Sequence, residues 1–110
     1  METVTLGRTG LEVSRLGAGL VQIGALDDAA EAGRVLHSAL DAGISFLDTA
    51  ECYGRSEEFI GRTVAHRRGE YVLATKAGHV ADGHAGEPWT ARTVADSIDR
   101  SLARMRTDHL

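Results

Sequence analysis

The sequence predicts an α/β fold built on a parallel sheet, and three observations carry that expectation. Short β-prone apolar runs alternate with longer stretches of helical periodicity. Each helical stretch is preceded by a residue suited to cap it: Asp28, Ser56 and Thr90. Successive apolar runs lie about 28 residues apart, near the roughly 31 residues per unit of an eight-unit βα barrel. Doubly wound sheets have similar spacing, so spacing alone leaves both architectures open.

In order along the chain, Thr3 to Leu6 and Leu11 to Ser14 flank Gly7-Arg8-Thr9-Gly10, which predicts a hairpin. Leu16 to Leu20 reads as a short, buried strand. Asp28 opens a helix with capping-box spacing to Glu31. Its core stripe is expected to be Ala32, Val35, Leu36, Ala39 and Leu40, with Gly43 as the stop. Ile44 to Leu47 has the apolar character of a strand covered on both faces. Ser56 is expected to cap the second helix, with Glu57 and Glu58 at its positive end and Arg67 and Arg68 at its negative end. Phe59, Ile60 and Val64 form its buried stripe, and Gly69 ends it. Tyr71 to Thr75 is the next strand. Thr90 then caps a third helix with Val94, Ile98, Leu102 and Met105 as its core stripe and Asp96–Arg100 as an i,i+4 pair on its wet side. Thr107 to Leu110 reads as the turn into a fourth strand, so the expected domain, residues 1–110, is a partial one that stops before that strand. A parallel sheet of three or four strands would leave bare edges and an uncovered apolar face.

Composition narrows the function classes. The 110 residues are 43% hydrophobic and 25% charged, as in an ordinary globular domain. A net charge of −4 lacks the basic footprint of a nucleic-acid binder, and no apolar run approaches the roughly 20 residues of a membrane span. No basic, then apolar, N-terminal stretch reads as a secretory signal. The single cysteine, Cys52, cannot form an internal disulfide, and a reducing cytoplasm is the expected compartment.

Three polar side chains stand where strands end: Asp48 after Ile44–Leu47, Tyr53 in the loop that follows, and Lys76 after Tyr71–Thr75. On adjacent parallel strands about 4.8 Å apart, Asp48 and Lys76 would be paired neighbours. A carboxylate beside an ammonium keeps both ionised, and an ammonium beside a phenol favours the phenolate, which suits a tyrosine to general acid work. The plainer alternative is that Asp48 caps a loop before Thr49 and that Tyr53-Gly54 is turn chemistry. Gly17, Gly19 and Gly24 do not make a dinucleotide fingerprint, because Gln22 stands where its third glycine belongs. His79, His84 and Asp82 share a loop but lack a third and fourth ligand at convincing spacing, so no metal is expected. Cys52 has no evident activating partner and is expected to be a partly buried filler. His37 and His66 are expected at exposed helix positions.

These residues carry a resemblance. Gly43 to Gly61, with Asp48-Thr49-Ala50-Glu51-Cys52-Tyr53-Gly54 at its centre, resembles the first signature of the aldo-keto reductase superfamily. Leu6 to Gly17 resembles the family's N-terminal hairpin, which closes the bottom of the barrel. Leu73-Ala74-Thr75-Lys76 resembles its third strand with the catalytic lysine, and Ser101 to Leu110 the end of its third helix and the entry to its fourth strand. The resemblance implies the N-terminal part of a (β/α)8 TIM barrel, a β-hairpin followed by about three βα units. It implies an oxidoreductase that passes a hydride between NADPH, or NADH, and a small carbonyl or alcohol substrate. Tyr53 would be the proton donor, Lys76 would tune it, and Asp48 would hold Lys76 and approach the nicotinamide ribose. Backbone at Gly19, Leu20 and Val21 would lie near the cofactor, and His79 and Trp89 would line the substrate pocket. The family's catalytic histidine, at the end of its fourth strand, and most of its cofactor site fall outside these residues. His109 lies in the turn before that strand and does not match it. The isolated chain is therefore expected to be inactive. The alternative is a non-catalytic remnant or binding module of the same lineage, as with potassium-channel β-subunits.

Overall fold

The computed structural model describes all 110 residues. β1 (Thr3–Thr5) and β2 (Glu12–Ser14) pair antiparallel as the expected hairpin, and Gly7 and Gly10 of its turn take positive φ. β3 (Ala18–Gly19), β4 (Phe46–Asp48) and β5 (Val72–Ala74) form a parallel sheet in that order. The register sets Asp48 beside Gly19 on one side and Ala74 on the other, so the strands end together. The hairpin is tied to the opposite end of the sheet. The Ser14 amide donates to Ser45 Oγ and the Ser45 amide to Ser14 Oγ, each at 2.8 Å, just before β4 begins.

Three helices cover one face of this sheet: α1 (Ala29–Asp41), α2 (Ser56–Thr63) and α3 (Ala91–Met105). Asp28 caps α1, its carboxylate accepting from the Ala30 amide at 2.9 Å. Thr90 caps α3 through the Thr93 amide. Strand alternation sends Leu47 and Leu73 toward the helices, where they meet Ala32, Leu36 and Leu40 of α1, Phe59 and Ile60 of α2, Val64 just after it, and Met105 of α3. Full burial of a leucine such as Leu36 is worth about 1.5–3 kcal/mol. Phe46, Val72 and Ala74 take the other face and stay partly exposed.

Several expectations need correction. Leu16 is exposed, and only Ala18–Gly19 of its run pairs as strand, because the chain bends at once into a 3₁₀ turn at Gln22–Ala25. Val35 of α1 is exposed, its place at the packed face being taken by Gly33, which lies against Thr63. Ser56 is the first residue of α2 and not its cap; its hydroxyl bonds Thr49 Oγ1 at 2.8 Å. α2 ends at Thr63, and Arg67 and Arg68 sit in a separate 3₁₀ segment, Ala65–Glu70. There Arg67 pairs with Asp41 and Glu70 and contacts His37 Nδ1, which leaves His37 half-buried. In α3 the buried face is Thr93, Ser97, Ser101 and Met105, whereas Ile98 is exposed and Val94 and Leu102 are half-exposed. Ile98 and Leu102 line an open apolar cleft of about 630 Å³ with Leu6, Leu11, Phe46 and Leu110. Asp96 reaches back to Arg92 at 3.7 Å, because Arg100 turns inward to Glu51.

Candidate active site

The parallel register brings the three predicted polar residues to one end of the sheet. Asp48 is the last residue of β4, and Lys76 follows β5 by two residues. Lys76 Nζ donates to both Asp48 carboxylate oxygens, at 2.9 and 2.8 Å, and to the Thr49 carbonyl at 3.0 Å. The same nitrogen lies 5.0 Å from the centroid of the Tyr53 ring. Burial pushes the Lys76 ammonium down, but the Asp48 carboxylate and the Tyr53 hydroxyl outweigh it, and its pKa lies above the ordinary lysine value. The side chains of Asp48 and Lys76 are 42% and 46% exposed, so the cluster opens to solvent.

Backbone contacts aim the tyrosine. Residues 50–53 form a turn closed by the Tyr53 amide donating to the Ala50 carbonyl at 3.1 Å. The 3₁₀ turn at Gln22–Ala25 packs directly on this loop: the Arg55 amide donates to the Gly24 carbonyl at 3.0 Å. A Cβ on Gly24 would stand 1.8 Å from the Tyr53 carbonyl oxygen, so only glycine lets the two backbones meet.

The remaining candidates are placed unevenly. Gly19 lies beside Asp48 at the strand tips with open space where a side chain would be, and Val21 is exposed. The Leu20 side chain is in the core, and its amide donates to the Asp48 carbonyl at 2.9 Å. His79 and Trp89 form an edge-to-face pair with centroids 4.7 Å apart, in the loop between β5 and α3, and Trp89 is 67% exposed. The Trp89 amide donates to the Gly78 carbonyl at 2.8 Å, which closes the neck of that loop. Cys52 is exposed, contrary to the expected partial burial, because its neighbour Glu51 takes the inward direction of the turn. His109 is exposed and pairs with Asp108. No group of three or more His, Cys, Asp or Glu side chains is arranged to hold a metal ion, and no helix is long and apolar enough to cross a membrane.

Sequence reasoning missed a buried polar seam behind the site. Glu57 accepts from Thr75 and Ser101 hydroxyls, each at 2.7 Å, and so ties the residue before Lys76 to α2 and α3. Glu51 accepts from Ser97 and Arg100. The signal was present as two copies of Ser-x-x-Arg four residues apart, Ser97–Arg100 and Ser101–Arg104, which place hydroxyls and guanidiniums on one side of α3.

Comparisons with known proteins place the chain in a family. The aldo/keto reductase family model matches residues 15–110. The chain is 36% identical over 110 residues to the uncharacterized oxidoreductase YqkF of Bacillus subtilis, covering 96% of this chain and 35% of that protein. It is 34% identical over 116 residues to a probable voltage-gated potassium channel subunit beta of Oryza sativa, covering all of this chain and 35% of that protein. Among solved structures, a putative aldo-keto reductase from Pseudomonas aeruginosa superposes with a TM-score of 0.85 at 41% identity, over 96% of this chain and 42% of that one. The chain belongs to the aldo/keto reductase family. Its hairpin and parallel sheet are the N-terminal part of the family's TIM barrel. It spans little more than a third of the length of the curated relatives it matches.

Proposed function

We propose that these residues supply the proton-donating half of a nicotinamide-dependent carbonyl reductase. The observation that carries the reading is the Lys76 ammonium, held by both oxygens of Asp48 and set beside Tyr53. Tyr53 Oη–H donates its proton to the carbonyl oxygen of a small aldehyde or ketone as that carbon is reduced, and the resulting phenolate faces the Lys76 ammonium. Asp48 keeps Lys76 charged and in place. In the oxidative direction Tyr53 takes the same proton back from the alcohol.

The strand tips fit a nicotinamide ribose. Gly19 leaves open space beside the exposed Asp48 carboxylate, which accepts hydrogen bonds from hydroxyls, and the backbone at Gly19, Leu20 and Val21 borders that space. NADPH, or alternatively NADH, supplies the hydride when bound. The exposed edge-to-face pair of His79 and Trp89 offers an aromatic wall for the substrate. A reducing cytoplasm suits the exposed, unpaired Cys52. These 110 residues hold three of the four catalytic positions of the family and a small part of its cofactor site, so the isolated chain is expected to show no turnover. A second reading, a non-catalytic binding module, is favoured by the open apolar cleft along α3 and β5.

The test is NADPH oxidation with an aldehyde panel, by these residues joined to the remaining barrel of the Pseudomonas relative. Turnover that Tyr53→Phe abolishes supports the reductase. A folded joined protein without turnover supports the binding module.

A further inference from the structure

Glu51 takes no part in the proton transfer above, yet its side chain is only 4% exposed. It occupies the second position of the Ala50–Tyr53 turn, two residues before the proton donor. Its carboxylate is inserted into the face of α3. Ser97 Oγ donates to Oε2 at 2.5 Å, Arg100 donates through Nε to Oε1 and through Nη2 to Oε2, and Arg104 Nη1 stands 3.4 Å from Oε1. The opposite side of the loop rests on Gly24, through the Arg55 amide and the Tyr53 carbonyl. The loop is thus gripped between two elements, and Glu51 is its ionic tether to the second. A carboxylate this buried persists only when its charge is matched, so the tether and the ionised state of Glu51 stand together. Among the ionisable side chains, Glu57 offers an internal comparison. It is equally buried in the same seam, but it belongs to α2 and not to the tyrosine turn.

We propose that Glu51 is a positioning residue: by pinning the middle of the Ala50–Tyr53 turn to Ser97 and Arg100 of α3, it sets where the Tyr53 ring lies relative to Lys76. Its meaning for catalysis rests on the reductase reading, whereas the geometric claim stands apart from it and is measured without cofactor or substrate.

The experiment is nuclear magnetic resonance on the 110-residue chain, comparing wild type with Glu51→Gln, Ser97→Ala and Glu57→Gln. Two readouts are taken: the Overhauser contact between the Tyr53 ring and the Lys76 side chain, and amide exchange at Tyr53, Arg55 and Ser56 against Thr49 and Val72 of the sheet. Glu51→Gln keeps an acceptor for Ser97 but loses the charge facing Arg100. It is expected to weaken the Tyr53–Lys76 contact and to raise loop exchange about tenfold relative to the sheet amides. Ser97→Ala, the milder change, gives the same pattern at smaller size and serves if Glu51→Gln does not fold. Glu57→Gln loosens Thr75 beside Lys76 and not the tyrosine turn, so it is expected to leave exchange at Tyr53 and Arg55 unchanged relative to the sheet. The proposal is overturned if loop and sheet amides speed up by one common factor with the Tyr53–Lys76 contact unchanged. It is also overturned if Glu57→Gln raises exchange at Tyr53 and Arg55 relative to the sheet as much as Glu51→Gln does.

Discussion

Gly24→Ala is a one-methyl change that tests how the tyrosine loop is held. The added Cβ would lie 1.8 Å from the Tyr53 carbonyl oxygen and 3.3 Å from the Ser56 amide nitrogen. Both are backbone atoms, so no side-chain rotation relieves the overlap. The 3₁₀ turn at Gln22–Ala25 and the loop must separate by more than 1 Å to reach the 3.0 Å that real Cβ contacts respect. Overpacking of this kind costs about 1–3 kcal/mol. Separation also breaks the hydrogen bond from the Arg55 amide to the Gly24 carbonyl, worth about 1 kcal/mol. Against this, alanine is favoured over glycine in a helical turn by up to about 1 kcal/mol. The net expectation is a loss of about 1–4 kcal/mol. Gly69→Ala is the matched control: its Cβ meets nothing within 4 Å and its φ is not positive. There the smaller unfolded-state entropy predicts no loss and a gain of up to about 1 kcal/mol. Urea unfolding followed by circular dichroism gives both values. A Gly24→Ala variant within about 0.5 kcal/mol of wild type would mean that the two backbones are not in contact.

Other outcomes follow from the same structure. Lys76→Met is expected to change unfolding free energy by no more than about 1 kcal/mol, since its partner is nearly half exposed, while removing the activity of the joined reductase; a larger stability loss would show the pair to be structural. Burial pushes the Glu51 carboxyl up, but Arg100, Ser97 and Arg104 together hold it below the usual value of 4.5. Its contribution is therefore complete above that pH and lost as pH falls through the lower folded value; an acid titration of stability should show the decline beginning near pH 4.5, and Glu51→Gln should reduce it. On α3, Ser97→Val is expected to cost about 2 kcal/mol by removing one buried donor to Glu51 and setting an apolar side chain against its carboxylate, whereas Ile98→Ser one residue on stays within about 0.5 kcal/mol; thermal unfolding checks the inversion.

What could be read from the sequence was whatever depends on local pattern and strand order. Asp48, Tyr53 and Lys76 were legible because strand ends in a parallel sheet converge, and the register of β3, β4 and β5 brings them together. Asp28 and Thr90 were legible as caps because their hydrogen bonds reach only two or three residues along the chain. The inward face of α3 was not. Periodicity picks the apolar stripe Val94, Ile98 and Leu102, but the buried carboxylates of Glu51 and Glu57 attract Ser97, Ser101 and their arginines instead. Those partners lie more than 40 residues away, and hydrophobic spacing is blind to them. Ser56 was misread because its hydroxyl is claimed by Thr49, seven residues back across the loop, and does not cap the helix.

Tyr53, held beside the Asp48–Lys76 pair, is the proposed proton donor in carbonyl reduction. The most direct measurement is the absorbance decay of NADPH with an aldehyde for a folded protein in which residues 1–110 precede the remaining barrel of the Pseudomonas aldo-keto reductase. Turnover is expected, lowered by about 10²–10⁴-fold in Tyr53→Phe with the fold unchanged. A Tyr53→Phe protein that keeps its rate within about tenfold would contradict that role.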